Sequence, residues 1–462
     1  MSETEAIKIK KTPAGTVQEE VAAPKKHIGV HAYIGTFGTS VFIQSCTIIQ
    51  GILIARLLGP LGRGEYAAVI LWPNVFAAIG IFGSNIAIAR TSAKEPDLGA
   101  VIRASLILSF LTSSLAGIAC YMSLPYLIPA TQTNIVSIAK HFVLFIPLNH
   151  LSLNLFAIDR GIGDFKRLNY TRPILYVAYL SIIIVLWLSN LSTVFSFAIA
   201  LLLGNFTVVL VKLILILRKY PLFGKIYSLQ QTIKSSFHFG LAGIAMPLYQ
   251  QADKAILLWL MNVENLGIYV VALSASAAIG SITNSTGIVT FTTAAQAERG
   301  EGFERIAKTF RISALLWLIF GGILALAMPL LLPLVYGSEF ESAVTPARFL
   351  IIGSAFGGLA DLLDQNMRGQ GRAFVGLGGR IAGLIIMGIT GLLLVRYLEI
   401  NGICLGYIAG QLSCLIVIIT RTNEHYKKNV TFENYIPGSS DCSLLINKIK
   451  YLTINLIKER AI

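Results

Sequence analysis

The sequence predicts an all-α integral membrane protein, with about twelve transmembrane helices in two six-helix bundles related by an internal repeat. Three observations predict it: the composition, the length of the apolar runs, and the placement of cations between them. Of the 462 residues, 55% are hydrophobic and 13% charged, against about 45–50% and about 25% in a soluble domain. A larger soluble core would still need a polar surface; a protein facing hydrocarbon does not. A spanning helix needs about 20 mostly apolar residues. Such runs lie near 32–57, 66–89, 104–124, 135–158, 173–189, 193–217, 236–261, 268–293, 311–333, 343–366, 374–395 and 401–420. Turn chemistry and charge mark the joints: Gly59-Pro60-Leu61-Gly62, Lys94-Glu95-Pro96-Asp97, Ser189-Asn190, and Arg368-Gly369-Gln370-Gly371-Arg372.

The formal charge of +14 sits in short joints rather than on a soluble basic face, which argues against a nucleic-acid partner. Even-numbered joints hold the cations: Arg90, Lys94 and Arg103; Arg160, Lys166, Arg167 and Arg172; Arg218, Lys219, Lys225 and Lys234; Arg299, Arg305, Lys308 and Arg311; Arg368 and Arg372. Odd-numbered joints hold little beyond Arg63 and Arg396. By the positive-inside rule both termini are expected in the cytoplasm, with an even number of spans in the cytoplasmic (inner) membrane. The expected layout is a cytoplasmic tail 1–30, a first bundle 31–217, a cytoplasmic linker 218–235, a second bundle 236–420 and a cytoplasmic tail 421–462. The first tail is polar and carries both signs, unlike a secretory or transit signal. In the last, Leu445, Ile449, Leu452 and Leu456 have helical spacing amid lysines. An interfacial amphipathic helix and a disordered basic tail both remain open.

The two halves echo each other. Laying Gly64 on Gly267 also lays Tyr66 on Tyr269, each pair leading into the second span of its half. A similar shift lays Arg160-Gly161-Ile162-Gly163 on Arg368-Gly369-Gln370-Gly371. Secondary transporters are commonly built from such repeats, with the substrate site between them.

The segment Gly51-Ile52-Leu53-Ile54-Ala55-Arg56-Leu57-Leu58-Gly59-Pro60, followed by Gly64-Glu65-Tyr66, resembles the start of polysaccharide flippases. Gln251-Ala252-Asp253-Lys254 with Leu266-Gly267-Ile268-Tyr269 resembles them in the second half. These are the O-antigen and exopolysaccharide repeat-unit translocases of the multidrug/oligosaccharidyl-lipid/polysaccharide (MOP) exporter superfamily. The resemblance covers about 30–420. It implies two six-helix bundles around a central cavity and movement of a polyprenyl-pyrophosphate-linked oligosaccharide between leaflets. Membrane lipids, that substrate, and a polysaccharide polymerase with its glycosyltransferases are the partners it implies.

Charges inside spans are costly and face a cavity or a partner. Asp253-Lys254 lies well inside span seven. Either Lys254 faces the cavity and attracts an anionic substrate, with Asp253 tuning it or coupling to a cation, or the two form a local brace. Arg56 either helps bind pyrophosphate, as the resemblance implies, or snorkels to headgroups. Glu65 is placed to pair with Arg56 or Arg63; lipid II flippases carry an acid at a comparable place. Arg380 is a cavity candidate because Gly376, Gly378, Gly379 and Gly383 leave room around it. Arg90, Lys140 and Arg348, at span ends, read as topological. Asp361, Asp364 and Arg368 share one helix face, as a helix-end ion pair or as a gate. Pro73, Pro147 and Pro247 are hinge candidates, and the Gly402, Gly406 and Gly410 stripe points to close helix packing.

The cysteines, Cys46, Cys120, Cys404, Cys414 and Cys442, have no CxxC spacing and read as small hydrophobes. His27 and His31 do not complete a metal site, and His141 and His150 lack an acidic partner. No metal or cofactor is expected; a coupling ion, H+ or Na+, stays open. There is no Walker sequence, nor the long extracytoplasmic loop a membrane glycosyltransferase or polymerase needs. Multidrug or small-cation antiport is the alternative function, though the interior charges lean basic.

Overall fold

The computed structural model describes residues 30–220, 226–277, 302–370, 372, 374–426, 432–439, 441 and 443. The first tail with His27, the second part of span eight, Cys442 and the Leu445–Leu456 pattern lie outside the described residues.

Lipid offers no hydrogen bonds, so a spanning chain must satisfy its backbone internally, and helix is the local solution. In chain order the helices are α1 (Val30–Gly80), α2 (Ser84–Ser92), α3 (Leu98–Leu127), α4 (Thr133–Phe142), α5 (Phe145–Ile162), α6 (Phe165–Thr171), α7 (Pro173–Leu188), α8 (Val194–Leu217), α9 (Leu229–Gly243), α10 (Ala245–Leu260), α11 (Val263–Ser276), α12 (Phe303–Tyr336), α13 (Val344–Gly369) and α14 (Phe374–Tyr426). Among the described residues, eight helical stretches are long and apolar enough to cross a membrane. Two of these double back, so α1 makes spans one and two and α14 makes spans eleven and twelve.

The reversal in α1 falls at Gly59, whose φ of 66° is open to glycine at no steric cost. Pro60 follows, fitted to a first helical turn. Neighbouring span five acts as a ruler. Thr36 accepts from Asn169, Gln50 donates to the Tyr176 carbonyl, and Tyr66 meets Tyr179. Thirty residues of α1 are matched by ten of its neighbour, which requires a return path. In α14 the reversal is at Glu399, with φ 50°. Gly402 then packs on Leu394, Gly406 on Gly391, and Gly410 on Gly383. A Cβ at any of these three would strike backbone, so the glycine stripe makes the hairpin close-packed.

Spans four, five and seven are each broken. Span four is interrupted at Val143 and Leu144 and span seven at Ile244, each beside the carbonyl four residues before a proline, that of Val143 for Pro147 and that of Gly243 for Pro247. Each proline lacks the N–H that would bond that carbonyl. Pro73 differs from expectation. Helix α1 runs through it to Gly80, and the break in span two falls later, at Phe82 and Gly83, both with positive φ. Helix α9 begins at Leu229, inside the stretch expected as linker, because the Ser228 side chain accepts from the Gln231 amide and caps it. Helix α14 likewise runs past the expected tail boundary, to Tyr426.

The protein is a multi-pass membrane protein. Large apolar side chains such as Phe110, Leu115, Leu326 and Leu330 are exposed around it, as a lipid-facing surface requires. The halves meet where the repeat predicts symmetry. A Cβ on Gly64 would overlap the Val263 carbonyl and the Gly267 amide, and one on Gly267 would overlap the Pro60 carbonyl and the Gly64 amide. The two repeat-related glycines therefore face each other across the seam between the halves.

Candidate functional site

Helices α10 to α14 enclose a cavity of about 360 Å³ in the second half, which Gln44 of α1 also touches. Its polar lining comes from Tyr249, Gln250 and Asp253 of span seven, Ser354 and Asp361 of span ten, and Arg380, Tyr407 and Gln411 of the α14 hairpin. Trp317 of span nine adds an aromatic wall. Small residues let these groups converge: a Cβ on Gly357 would stand 2.7 Å from the Gln411 amide oxygen, and one on Gly383 2.7 Å from the Tyr249 ring.

Four of the expected charges form one cluster at the even-joint end of this cavity. The Arg380 guanidinium pairs with Asp364 at 2.9 Å and with Asp361 at 3.1 Å, while Arg368 pairs with Asp364 at 3.0 Å. The Asp364 side chain is 2% exposed and that of Asp361 55%. One carboxylate is thus sealed between two cations, and the other opens outward. Low local dielectric strengthens such pairs and raises the cost of breaking them.

Asp253 is buried and fully engaged. It accepts from the Tyr269 phenol at 2.7 Å and from the Lys254 amide at 2.8 Å, with the Lys254 ammonium at 3.5 Å. Lys254 is not a lining residue of the cavity; its ammonium donates to the Gln250 carbonyl at 2.8 Å. The expected roles are therefore exchanged: the acid faces the cavity and the lysine braces its own helix. The shift that lays Gly64 on Gly267 lays Gln50 on Asp253. Gln50 is buried too, and donates to the Tyr176 carbonyl at 2.6 Å.

Arg56 and Glu65 stand away from the cavity, near the seam. Arg56 donates to the Val335 carbonyl at 2.8 Å and to that of Leu334, tying span one to the end of span nine. Arginine satisfies the last carbonyls of a helix well. Glu65 pairs with neither Arg56 nor Arg63; it makes no ion pair among the described residues.

A second buried ionic cluster escaped the sequence reading. Asp159 accepts from Arg167 Nε at 2.7 Å and pairs with Lys212, joining spans four, five and six at their even-joint ends. The side chains of Asp159 and Lys212 are 0% exposed. The signal was present: Lys212 interrupts the apolar run of span six, where a charge demands a partner. His150 is satisfied by Thr112 and by the Ala77 carbonyl, both at 2.9 Å, which makes it a packed bridge between spans two, three and four. No group of residues able to hold a metal ion occurs among the described residues.

A family model described as polysaccharide biosynthesis protein matches residues 53–345. The chain belongs to this family. No curated relative matches its sequence. Solved structures share the architecture. Lipid II flippase MurJ in its inward closed conformation superposes with a TM-score of 0.68 at 12% identity, covering 92% of this chain and 93% of that one. A multidrug resistance MATE family transporter of the MOP superfamily, inward-facing, gives 0.64 at 16% identity, with 84% and 96% covered. A eukaryotic MATE transporter gives 0.64 at 15%, with 86% and 97% covered. The fold of this polysaccharide biosynthesis family member is thus that of MOP-superfamily transporters and flippases, two six-helix halves included.

Proposed function

We propose that the protein carries a polyprenyl-pyrophosphate-linked oligosaccharide across the cytoplasmic membrane by alternating access between its two halves. The observation that carries this reading is the second-half cavity in a chain of the polysaccharide biosynthesis family. Its glutamine amides, carboxylates, guanidinium and flanking aromatic rings suit sugar hydroxyls: planar groups hydrogen-bond adjacent hydroxyls while rings cover the apolar sugar face. The prenyl tail stays in lipid, so only the polar head needs the polar path. Asp361, Asp364, Arg368 and Arg380 serve as a gate, Asp361 exchanging its hold on Arg380 as the even-joint end opens. Both termini lie in the cytoplasm, as the loop cations indicate, and glycosyltransferases and a polymerase act before and after this step. The test is purified protein in liposomes carrying lipid-linked glycan. Exposure of the glycan to an external, membrane-impermeant reagent is expected; protein-free levels of exposure would overturn the reading.

The buried carboxylate of Asp253 favours a second reading, antiport of a drug or small cation against H+ or Na+. Drug sensitivity that changes with the gene, with no glycan exposure in liposomes, would select it.

A further inference from the structure

At the odd-joint end, Arg56 and Trp259 each reach across from one half and donate to the end of a helix in the other. Arg56 of span one donates from Nε to the Val335 carbonyl at 2.8 Å, and from a second guanidinium nitrogen to that of Leu334. Trp259 of span seven donates its indole N–H to the Leu127 carbonyl at 2.8 Å. Leu127 is the last residue of α3, and Val335 the last but one of α12. The last carbonyls of a helix have no intrahelical donor and carry the negative end of its dipole, so each is a ready acceptor.

The two contacts are one contact made twice. The shift that lays Gly64 on Gly267 lays Arg56 on Trp259, and the shift that lays Arg160 on Arg368 lays Leu127 on Val335. The second shift also lays Leu124-Pro125 on Leu332-Pro333, so each acceptor follows a proline by two residues in the last turn of its helix. Donors and acceptors are therefore both repeat-equivalent, although one donor is a cation and the other a neutral indole. A contact kept at both symmetry-related edges by different residues belongs to the packing of the halves, not to either side chain alone. By that symmetry the two contacts flank the seam where Gly64 meets Gly267. They are unequal in strength. When Trp259 leaves, the Leu127 carbonyl keeps Trp72 of its own half, at 3.0 Å. Arg56 grips two carbonyls and carries a charge, and charge-assisted hydrogen bonds are about twice as strong as neutral ones. Both donors are exposed, so water can take their place and either can let go.

We infer that Arg56 and Trp259 are the two arms of a clasp that holds the odd-joint end shut, the arginine arm the stronger, and that both must release before the halves part there. The clasp rests on the alternating access proposed above but not on its cargo. It gives spans one and seven equivalent tasks: each draws the third span of the opposite half, span nine or span three, over the seam. It assigns Arg56 to the closing of this end and not to a phosphate of the substrate.

The test is hydrogen–deuterium exchange of the full chain in nanodiscs, read by mass spectrometry over the seam, residues 58–66 and 262–269. The first amides of span two and of α11 lie there and lack intrahelical acceptors, so their exchange reports how often the seam opens. Arg56→Gln is expected to speed seam exchange about tenfold, and Trp259→Phe, which keeps a ring and loses the N–H, about threefold. The double variant should reach about thirtyfold, because the arms act separately on one opening. Arg56→Lys should fall between Arg56→Gln and wild type. Peptides at the even-joint end, around 159–167 and 364–370, should not speed up. Equal acceleration throughout the chain would mean general loosening and would overturn the inference, as would unchanged seam exchange in both single variants. Faster seam exchange in the variants, together with failure of the wild-type protein to expose glycan in liposomes, would strike the proposed cargo and leave the clasp standing.

Discussion

Each half of the protein buries a cluster of carboxylates and cations at the even-joint ends of its helices, and the two clusters differ in what they face. Asp159, Arg167 and Lys212 are closed off, the side chains of Asp159 and Lys212 being 0% exposed. Asp361, Asp364, Arg368 and Arg380 adjoin the second-half cavity, and the Asp361 side chain is 55% exposed. The ionic chemistry is the same. A sealed cluster can only hold helices together, while one open to a cavity can exchange partners. The seam tells a matching story. Repeat-equivalent positions carry a neutral amide in the first half, Gln50, and an acid in the second, Asp253. At this one repeat-equivalent position the second half carries a charge where the first carries a neutral amide.

This comparison can be broken. The largest effect is expected for Lys212→Ala, which strands a fully buried Asp159 beside Arg167 and should cost about 3–5 kcal/mol, read by thermal unfolding in detergent. Pairing Lys212→Met with Asp159→Leu should restore most of that stability, and transport with it; stability without transport would make the first cluster functional after all. Arg380→Met is expected to cost less, about 3 kcal/mol, because Arg368 still pairs with Asp364. Transport should nevertheless collapse, even where the variant folds. Next comes Tyr269→Phe, which removes the 2.7 Å bond to Asp253 and should cost about 1.5–3 kcal/mol. The mirror change Tyr66→Phe, which breaks a bond between two neutral phenols, should cost about 1 kcal/mol. Equal losses would dissolve the distinction between the halves.

The smallest effect concerns an ion pair between the first residue of span nine and a carboxylate beyond the last span. Arg311 of α12 holds Asp441 at 2.8 Å, while Tyr435 packs against Phe303 and Phe310. The Gly438 amide and Arg311 hold the Asp441 carboxyl below its usual range. A depressed carboxylate stabilises the folded state above the ordinary aspartate pKa of about 3.9 and loses that contribution as pH falls through its lower folded value. Proteolysis of the 432–443 segment should therefore accelerate in acid below that pH. Asp441→Asn should be cleaved faster at neutral pH and lose the acid dependence.

Most of the architecture was legible in the residues. The joints at Gly59-Pro60, Lys94–Asp97, Ser189-Asn190 and Arg368–Arg372 fall at helix ends or reversals, because turn chemistry is local. Pro147 and Pro247 announced their breaks for the same reason. The candidate site was legible in part: Asp253, Asp361 and Arg380 do line one cavity, since charges in apolar runs need shelter. Lys254, Arg56 and Glu65 could not be placed, because a side chain's direction depends on which helix lies beside it.

By itself, then, the sequence determined a membrane protein of twelve crossings in two related halves, because hydropathy, loop charge and glycine–proline punctuation act over a few residues or one membrane thickness. Tertiary structure alone decided which distant charges meet. It put Lys212 on Asp159 and Arg380 between two aspartates, turned Lys254 aside, and left Arg63 buried with no acid partner among the described residues. Those outcomes depend on helix neighbours far apart in the chain. Electrostatic cost and reward in a low-dielectric interior are set by distances of a few ångströms, and those distances exist only in the packed molecule.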